Sequence, residues 1–172
     1  MPGPTNEQRA NIREYLQSQA AKLTVSELAE KVRSDMEPLR AAIDAVPAGA
    51  FATAAADGEW SANEVLAHLY ATTGEVIRAI DSVIDEGAQP AAIADQIRGT
   101  DEVRSGDEWW SLLLTDREAF LARVQKATGD EHLDVTWEHR FFGPLNWREW
   151  LLFLRIHDID HARQLQGIAV SS

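Results

Sequence analysis

Apolar residues recur at intervals of three and four along most of the chain, which is the period of an amphipathic α-helix. Each of these stretches opens at a serine, threonine or asparagine that is followed three residues later by glutamate or glutamine, the pattern of a helical capping box. The residues predicted to cap helices in this way are Thr5, Thr24, Ser61, Ser105 and Asn146. The pattern therefore predicts a helical protein whose helices begin directly after these positions.

Prolines and glycines predict where these helices end. Pro38 lies inside the second helix and is predicted to kink it, or to split it just before that residue. Gly87 and Gly129 are predicted to end the next two helices, and Gly167 the last one. Residues 88 to 100 are predicted to form a connection with at most one short helical turn.

Residues 130 to 145 interrupt the helical period. Their β-branched and aromatic residues, from Val135 to Phe142, favour an extended segment or a short hairpin that Gly143 and Pro144 close. The four long amphipathic helices and their long connections predict an all-α fold, an antiparallel-type four-helix bundle with at least one crossover connection. At 172 residues, the chain is long enough to bury a core as one domain.

Charge and composition narrow the candidate functions. The chain has 28 acidic and 16 basic residues, a formal net charge of −12, and no cluster of basic residues, so nucleic acid is not an expected partner. The absence of cysteine excludes disulfides and thiolate ligands and leaves nitrogen and oxygen to hold any metal. The longest apolar stretch, 150–154, is too short to span a bilayer, and no signal peptide is recognisable. A cytoplasmic protein without a membrane partner is therefore expected.

The candidate chemistry lies in three histidines. His157 and His161 are four residues apart, which places them on one face of the last helix, on the stripe that carries its core-facing aromatic residues. His68 borders the buried stripe of the helix that follows Ser61. Inward-facing histidines on separate helices are the ligands that a metal site inside a bundle needs. The competing interpretation is three hydrogen-bonded core histidines, because this spacing also occurs by chance.

Two carboxylates near the histidines are candidate catalytic groups. Glu64 lies one helical turn before His68, and could serve as a general base, although it also completes a capping box. Asp160 directly precedes His161 and could orient an imidazole N–H, or could simply be solvated. The remaining histidines, His132 and His139, are interpreted as exposed or loop-packing side chains, with a substrate contact as the alternative for His139.

Three motifs of the chain match those of a known protein family in their order, spacing and helical placement. They are Trp60-Ser-x-x-Glu64-Val-Leu-Ala-His68-Leu, Phe142-Gly-Pro-Leu145 leading into Trp147-Arg-Glu-Trp150, and His157-Asp-x-x-His161-x-Arg163-Gln-Leu165. Together they resemble the DinB-like superfamily, small bacterial metal-binding proteins with four helices. The resemblance covers roughly residues 25 to 167.

The resemblance implies a four-helix bundle with a crossover, often a homodimer, and a divalent ion such as zinc or nickel. The ligands that it implies are His68, His157 and His161. It also implies two parts of the chain, an N-terminal helical extension in residues 1–24 and a DinB-like bundle domain in residues 25–172.

The resembling family is functionally mixed and includes low-molecular-weight-thiol S-transferases and thiol-dependent isomerases. Three protein ligands leave one position of the ion open. Together with the activities of the family, this open position predicts a metal-dependent enzyme that transfers a small thiol to a small electrophilic substrate. Two alternatives stay open. One is a metal-dependent hydrolase in which the ion activates water and Glu64 or Asp160 accepts the proton. The other is a non-catalytic stress protein that binds a metal or a ligand.

Overall fold

Helices form most of the described chain. The computed structural model describes residues 5–54, 56–93, 100 and 102–171. The all-α prediction is confirmed, and the elements in chain order are α1 (Asn6–Lys22), α2 (Val25–Ser34), α3 (Met36–Ala45), a 3-10 turn (Ala48–Ala50), α4 (Ala62–Glu86), α5 (Gly106–Val124), β1 (Thr136–His139), β2 (Gly143–Asn146) and α6 (Trp147–Ser171).

All of the predicted capping boxes are present. Before α1, α2, α4 and α5, the side chain of the capping Ser or Thr accepts the N–H of the third helical residue, whose own side chain accepts the N–H of the cap. Asn146 caps α6 in the same way, because its Oδ1 accepts the N–H of Glu149 at 3.2 Å and its backbone N–H donates to the carboxylate of Glu149 at 3.0 Å. Each box satisfies backbone N–H groups that a helix otherwise leaves without partners.

The second predicted helix is split, but the break lies at Asp35 and not just before Pro38. Asp35 ends α2 and begins α3, with φ −85° and ψ −1°. Pro38 then falls in the first turn of α3. There it breaks no intrahelical hydrogen bond, since the first N–H groups of a helix have no partner within it.

The predicted helix ends are correct for α4 and need correction for α5 and α6. Gly87 ends α4 in the left-handed region, with φ +63°. Helix α5 stops at Val124, and Gly129 lies in the loop beyond it. Helix α6 passes through Gly167 to Ser171, because the following Ile168 is buried in the core and one glycine costs a helix only about 1 kcal/mol.

The irregular segment before α6 is the short hairpin that was one of the two predicted forms. Strands β1 and β2 are antiparallel, and Trp137 pairs with Leu145. Gly143 and Pro144 belong to β2, which corrects the prediction that they close the segment. The indole of Trp137 stacks on that of Trp150 in α6, with ring centroids 5.2 Å apart, so the hairpin is fixed to the first part of α6.

The core consists of two apolar clusters that show how the helices run. The first contains α2, the later parts of α4 and α5, and the beginning of α6. The second contains α3, the beginnings of α4 and α5, and the later part of α6. Helices α4 and α5 are therefore parallel to each other and antiparallel to α6. Their connection crosses the length of the bundle, as predicted; its described residues 88–93 and 100 contain no helix, and residues 94–99 lie outside the described part.

Helix α1 lies against α6 and contributes Leu16 to the first cluster. Arg148 of α6 donates to the carbonyl of Ala20 at 3.0 Å, and Arg155 donates to the hydroxyl of Tyr15 at 2.6 Å.

The division into an extension of residues 1–24 and a bundle domain of residues 25–172 stays a prediction. No helix in the described residues has the length and apolar character needed to cross a bilayer.

A buried ion pair joins α5 to α6 between the two apolar clusters. The guanidinium of Arg117 donates to both carboxylate oxygens of Asp158, at 2.9 and 3.2 Å. The two side chains are 1% and 0% exposed. Because Asp158 directly follows His157, this pair lies beside the histidines of α6.

Replacing Arg117 by methionine is expected to lower the free energy of unfolding by about 3–5 kcal/mol, because it leaves the buried Asp158 carboxylate without a counter-charge. Urea unfolding followed by circular dichroism measures the change. The matched control is Arg123→Met on the same helix, whose partner Asp81 is partly solvated, and it should cost about 1 kcal/mol or less. Equal losses in the two variants would contradict the importance of the buried pair.

Candidate metal centre

The structure brings the three candidate ligands together. His68 projects from α4, and His157 and His161 project from α6, so that one ring nitrogen of each lies within 4.8 Å of the other two. The ring centroid of His68 lies 5.4 Å from that of His157 and 5.0 Å from that of His161. The two rings of α6 are 4.5 Å apart. Residues from two distant stretches of the sequence therefore form one cluster.

The antiparallel packing of α4 and α6 explains this convergence. Leu66 and Leu69, on either side of His68, belong to the same apolar cluster as Leu165 of α6. The beginning of α4 therefore lies beside the later part of α6. One helical turn separates His157 from His161, so both rings point from one face of α6 toward α4.

Burial keeps the imidazoles of α6 in their neutral form. His68 and His161 are each 8% exposed, and His157 is half-buried. Burial lowers the pKa of His157 well below its usual value, and the nearby imidazoles of His161 and His68 lower it further. Burial also lowers the pKa of His161, although its contact with Gln164 opposes that shift. Neutral imidazole is the form that binds metal ions.

A chain of hydrogen bonds sets the protonation of the two histidines of α6. The Nδ1 atom of His161 lies 2.9 Å from Oε1 of Gln164, and its Nε2 lies 3.0 Å from Nε2 of His157. An amide oxygen only accepts, so the proton of neutral His161 is on Nδ1 and its Nε2 is bare. His157 then donates from Nε2 to His161. Its buried Nδ1 has no partner among the described residues and would carry the ring proton when an ion takes Nε2.

The three residues fit a metal ion by donor type and by spacing. Nitrogen ligands at about 2.0–2.1 Å from a tetrahedral ion lie roughly 3.3 Å from one another. The 3.0 Å between the Nε2 atoms of His157 and His161 is close to that value, and a ring nitrogen of His68 lies within 4.8 Å of a ring nitrogen of each of the other two. The cluster could therefore hold one divalent ion. Neutral nitrogen donors suit zinc, nickel, copper or iron.

A family model with the description "DinB superfamily" matches residues 13–165. The chain belongs to the DinB superfamily. The match includes all three histidines and begins within α1, upstream of the motifs that carry the sequence resemblance. No curated protein and no solved structure matches the chain.

Aromatic side chains surround the histidines of this DinB superfamily member. Trp60, immediately before α4, meets the ring of His68 edge-on with centroids 5.1 Å apart. Phe153 stacks on His157 at 5.3 Å, with an angle of 26° between the ring planes. These rings form apolar walls beside the cluster. The sequence motif included Trp60, whereas the role of Phe153 follows from its position one turn before His157.

The two candidate carboxylates differ in their surroundings. The carboxylate of Glu64 accepts the N–H and the hydroxyl of Ser61 at 2.8 and 3.1 Å, which is the capping box. Asp160 is exposed. Gln164, which sequence reasoning missed, contacts His161 instead, and its position three residues after that ligand on a helix was the available signal. A catalytic role for Glu64 or Asp160 stays a prediction.

The other two histidines pack in loops and in the hairpin. His132 lies against Gly87, where a Cβ would come within 2.7 Å of its ring. His139 accepts the backbone N–H groups of Phe141 and Phe142 on Nδ1, at 3.1 and 3.3 Å. Its ring also contacts Phe153 at 4.5 Å, so the hairpin packs behind the ring that supports His157.

Alanine in place of His68, His157 or His161 is expected to remove specific binding of zinc or nickel, because each change leaves only two ring nitrogens for the ion. The measurement is competitive metal titration of untagged, metal-free protein. His132→Ala, a histidine outside the cluster, is the control and should bind as the wild type does. Equal metal affinity in all four variants would contradict a site at these residues.

The metal-free protein is expected to lose stability as the pH falls below about 6.5, the usual pKa of histidine. Above that pH, His157 is neutral in both states. Below it, His157 binds a proton in the unfolded chain, whereas in the folded chain it stays neutral until the pH falls to its lowered pKa. The stability present above pH 6.5 is therefore lost as the pH falls from about 6.5 to that pKa. Urea unfolding between pH 7.5 and 5 measures the slope. The slope should be smaller in His157→Gln than in wild type or His132→Gln, and equal slopes would contradict the expectation.

Proposed function

We propose that this protein is a metal-dependent enzyme that transfers a low-molecular-weight thiol to a small electrophilic substrate. The observation that supports the proposal is the cluster of three imidazoles on α4 and α6. In the described part of the chain, the group that could hold a metal consists of His68, His157 and His161, with no fourth protein ligand. Three protein ligands leave a position open for a substrate, which is characteristic of catalytic sites.

A divalent ion, when bound, would favour the thiolate form of a coordinated thiol at neutral pH. The protein supports this chemistry through the neutrality of its three ligands, which leaves the full charge of the ion available to the sulfur. The rings of Trp60 and Phe153 shield the cluster from water on two sides, so that this attraction acts in a medium of low polarity.

The nucleophile in this reaction comes from the cosubstrate, since the chain contains no cysteine. The thiol releases its proton to solvent, and its sulfur forms a bond to the electrophilic carbon. The electron pair of the bond that breaks leaves with the departing group, or takes up a proton where the reaction is an addition. Each step balances without a redox partner.

The hydrolase alternative needs a group that accepts a proton from water beside the ion. Glu64 binds the cap of α4 and Asp160 is exposed, and these positions favour a capping role for the first and a solvated one for the second. We therefore rank hydrolysis second. A non-catalytic binding protein is the third possibility. Zinc or nickel as the ion and a homodimer as the assembly stay predictions from the family resemblance, and the cytoplasm as the location stays a prediction from the sequence.

Thiol conjugation is expected to require both the metal and the cluster. Purified protein loaded with zinc or nickel is mixed with glutathione or cysteine and an aryl halide or epoxide, and thiol consumption is followed. The rate should fall to the uncatalysed rate after chelation and in His157→Ala, because the sulfur loses its binding position, whereas His132→Ala should retain the wild-type rate.

Unchanged conjugation after complete metal removal would refute the proposed reaction. Ester or amide hydrolysis without added thiol would indicate the hydrolase instead. Metal-dependent binding of a thiol without turnover of any electrophile would indicate the non-catalytic alternative.

A further inference from the structure

In the described structure, two side chains of α6 are in hydrogen-bond contact with His161. One is His157, and the other is Gln164. Its Oε1 lies 2.9 Å from Nδ1 of that imidazole. Gln164 is half-buried and lies three residues after His161, on the same side of the helix. The contact involves the ring nitrogen that points away from His157, since the other nitrogen of His161 faces that residue.

We propose that Gln164 positions His161 for metal binding by holding its proton on Nδ1 and thereby leaving Nε2 free as the ligand atom. Gln164 itself touches neither the ion nor the substrate. This inference rests on the metal site of the proposed function and is independent of the thiol chemistry.

The direction of the hydrogen-bond chain supports this assignment. If His161 carried its proton on Nε2, that N–H would point into the cluster, and the ligand atom would be unavailable to an ion. Nδ1 would then face the carbonyl oxygen of Gln164 without a proton between them, which is repulsive. The 2.9 Å contact therefore favours the one neutral form of His161 that is ready to bind a metal.

The neighbouring carboxylates do not compete for this role. Asp160 precedes His161 in the chain but is exposed. Asp158 is occupied by the two hydrogen bonds from Arg117. The acceptor that orients His161 is therefore a neutral amide. Partners of this kind that fix the ring of a metal ligand typically change metal affinity by 10–100-fold when they are removed.

The test compares Gln164→Leu with Gln164→Glu and with the control Gln166→Leu. Leucine removes the acceptor, glutamate retains an acceptor oxygen at the same chain length, and Gln166 is an exposed glutamine on the same helix. Zinc affinity of the metal-free proteins is measured by competition with a chromogenic chelator. Gln164→Leu should raise the dissociation constant by about 10–100-fold, while the other two variants should stay within about threefold of wild type.

A second readout follows the ring itself. Nitrogen chemical shifts of His161 in the metal-free protein, recorded at pH 7.5 by NMR, should show the proton on Nδ1 in wild type and in Gln164→Glu. In Gln164→Leu, the population with the proton on Nε2 should increase. A purely structural role of Gln164 would alter thermal stability without changing this ratio.

Equal zinc affinity in Gln164→Leu and Gln166→Leu would overturn the inference, as would a failure of Gln164→Glu to restore affinity. An unchanged ratio of the two neutral forms in Gln164→Leu would overturn it as well. Wild-type protein that binds no zinc or nickel would refute the metal site, and the inference with it. Tight metal binding without thiol conjugation would refute the proposed reaction and leave the role of Gln164 intact.

Discussion

The packing of α4 against α6 is the constraint on which the candidate site depends. Each helix buries apolar side chains above and below the level of the histidines, in clusters that include Leu69 and Leu165 at one end and Ile80 and Leu154 at the other. The histidines thus lie between two regions of close packing. A shift of one helix by a single turn would require both clusters to rearrange, so hydrophobic burial holds the three ring nitrogens within 4.8 Å of one another.

Burying groups that can carry a charge costs electrostatic free energy, and the fold lowers this cost in two ways. The imidazoles avoid part of this cost by remaining neutral, whereas Asp158 retains a counter-charge from Arg117 immediately beside them. The two solutions are connected, because a buried carboxylate without that partner would favour a proton on a neighbouring imidazole. The ion pair therefore offsets the negative charge of Asp158 beside the histidine rings.

Much of the fold and part of the site could be predicted because the deciding interactions are local. A capping box involves residues within one turn, and Ser61 with Glu64 was recognisable for that reason. Long-range packing decided the rest. Helix α6 continues beyond Gly167 because Ile168 reaches the core, and that burial does not follow from the local sequence. Likewise, the sequence suggested Asp160 as the polar neighbour of His161, whereas in the fold Asp160 is exposed and Gln164 contacts that ring.

The cap of α4 shows how a motif residue can serve a site without reacting in it. The bonds between Ser61 and Glu64 fix the first turn of α4, and Trp60 immediately before them lies against His68. Because His68 follows Glu64 by one helical turn, the same cap sets the direction of the ligand and of the ring beside it. A carboxylate at this position thus acts on the candidate site through helix geometry. This explains its place in the motif without requiring it to accept a proton during the reaction.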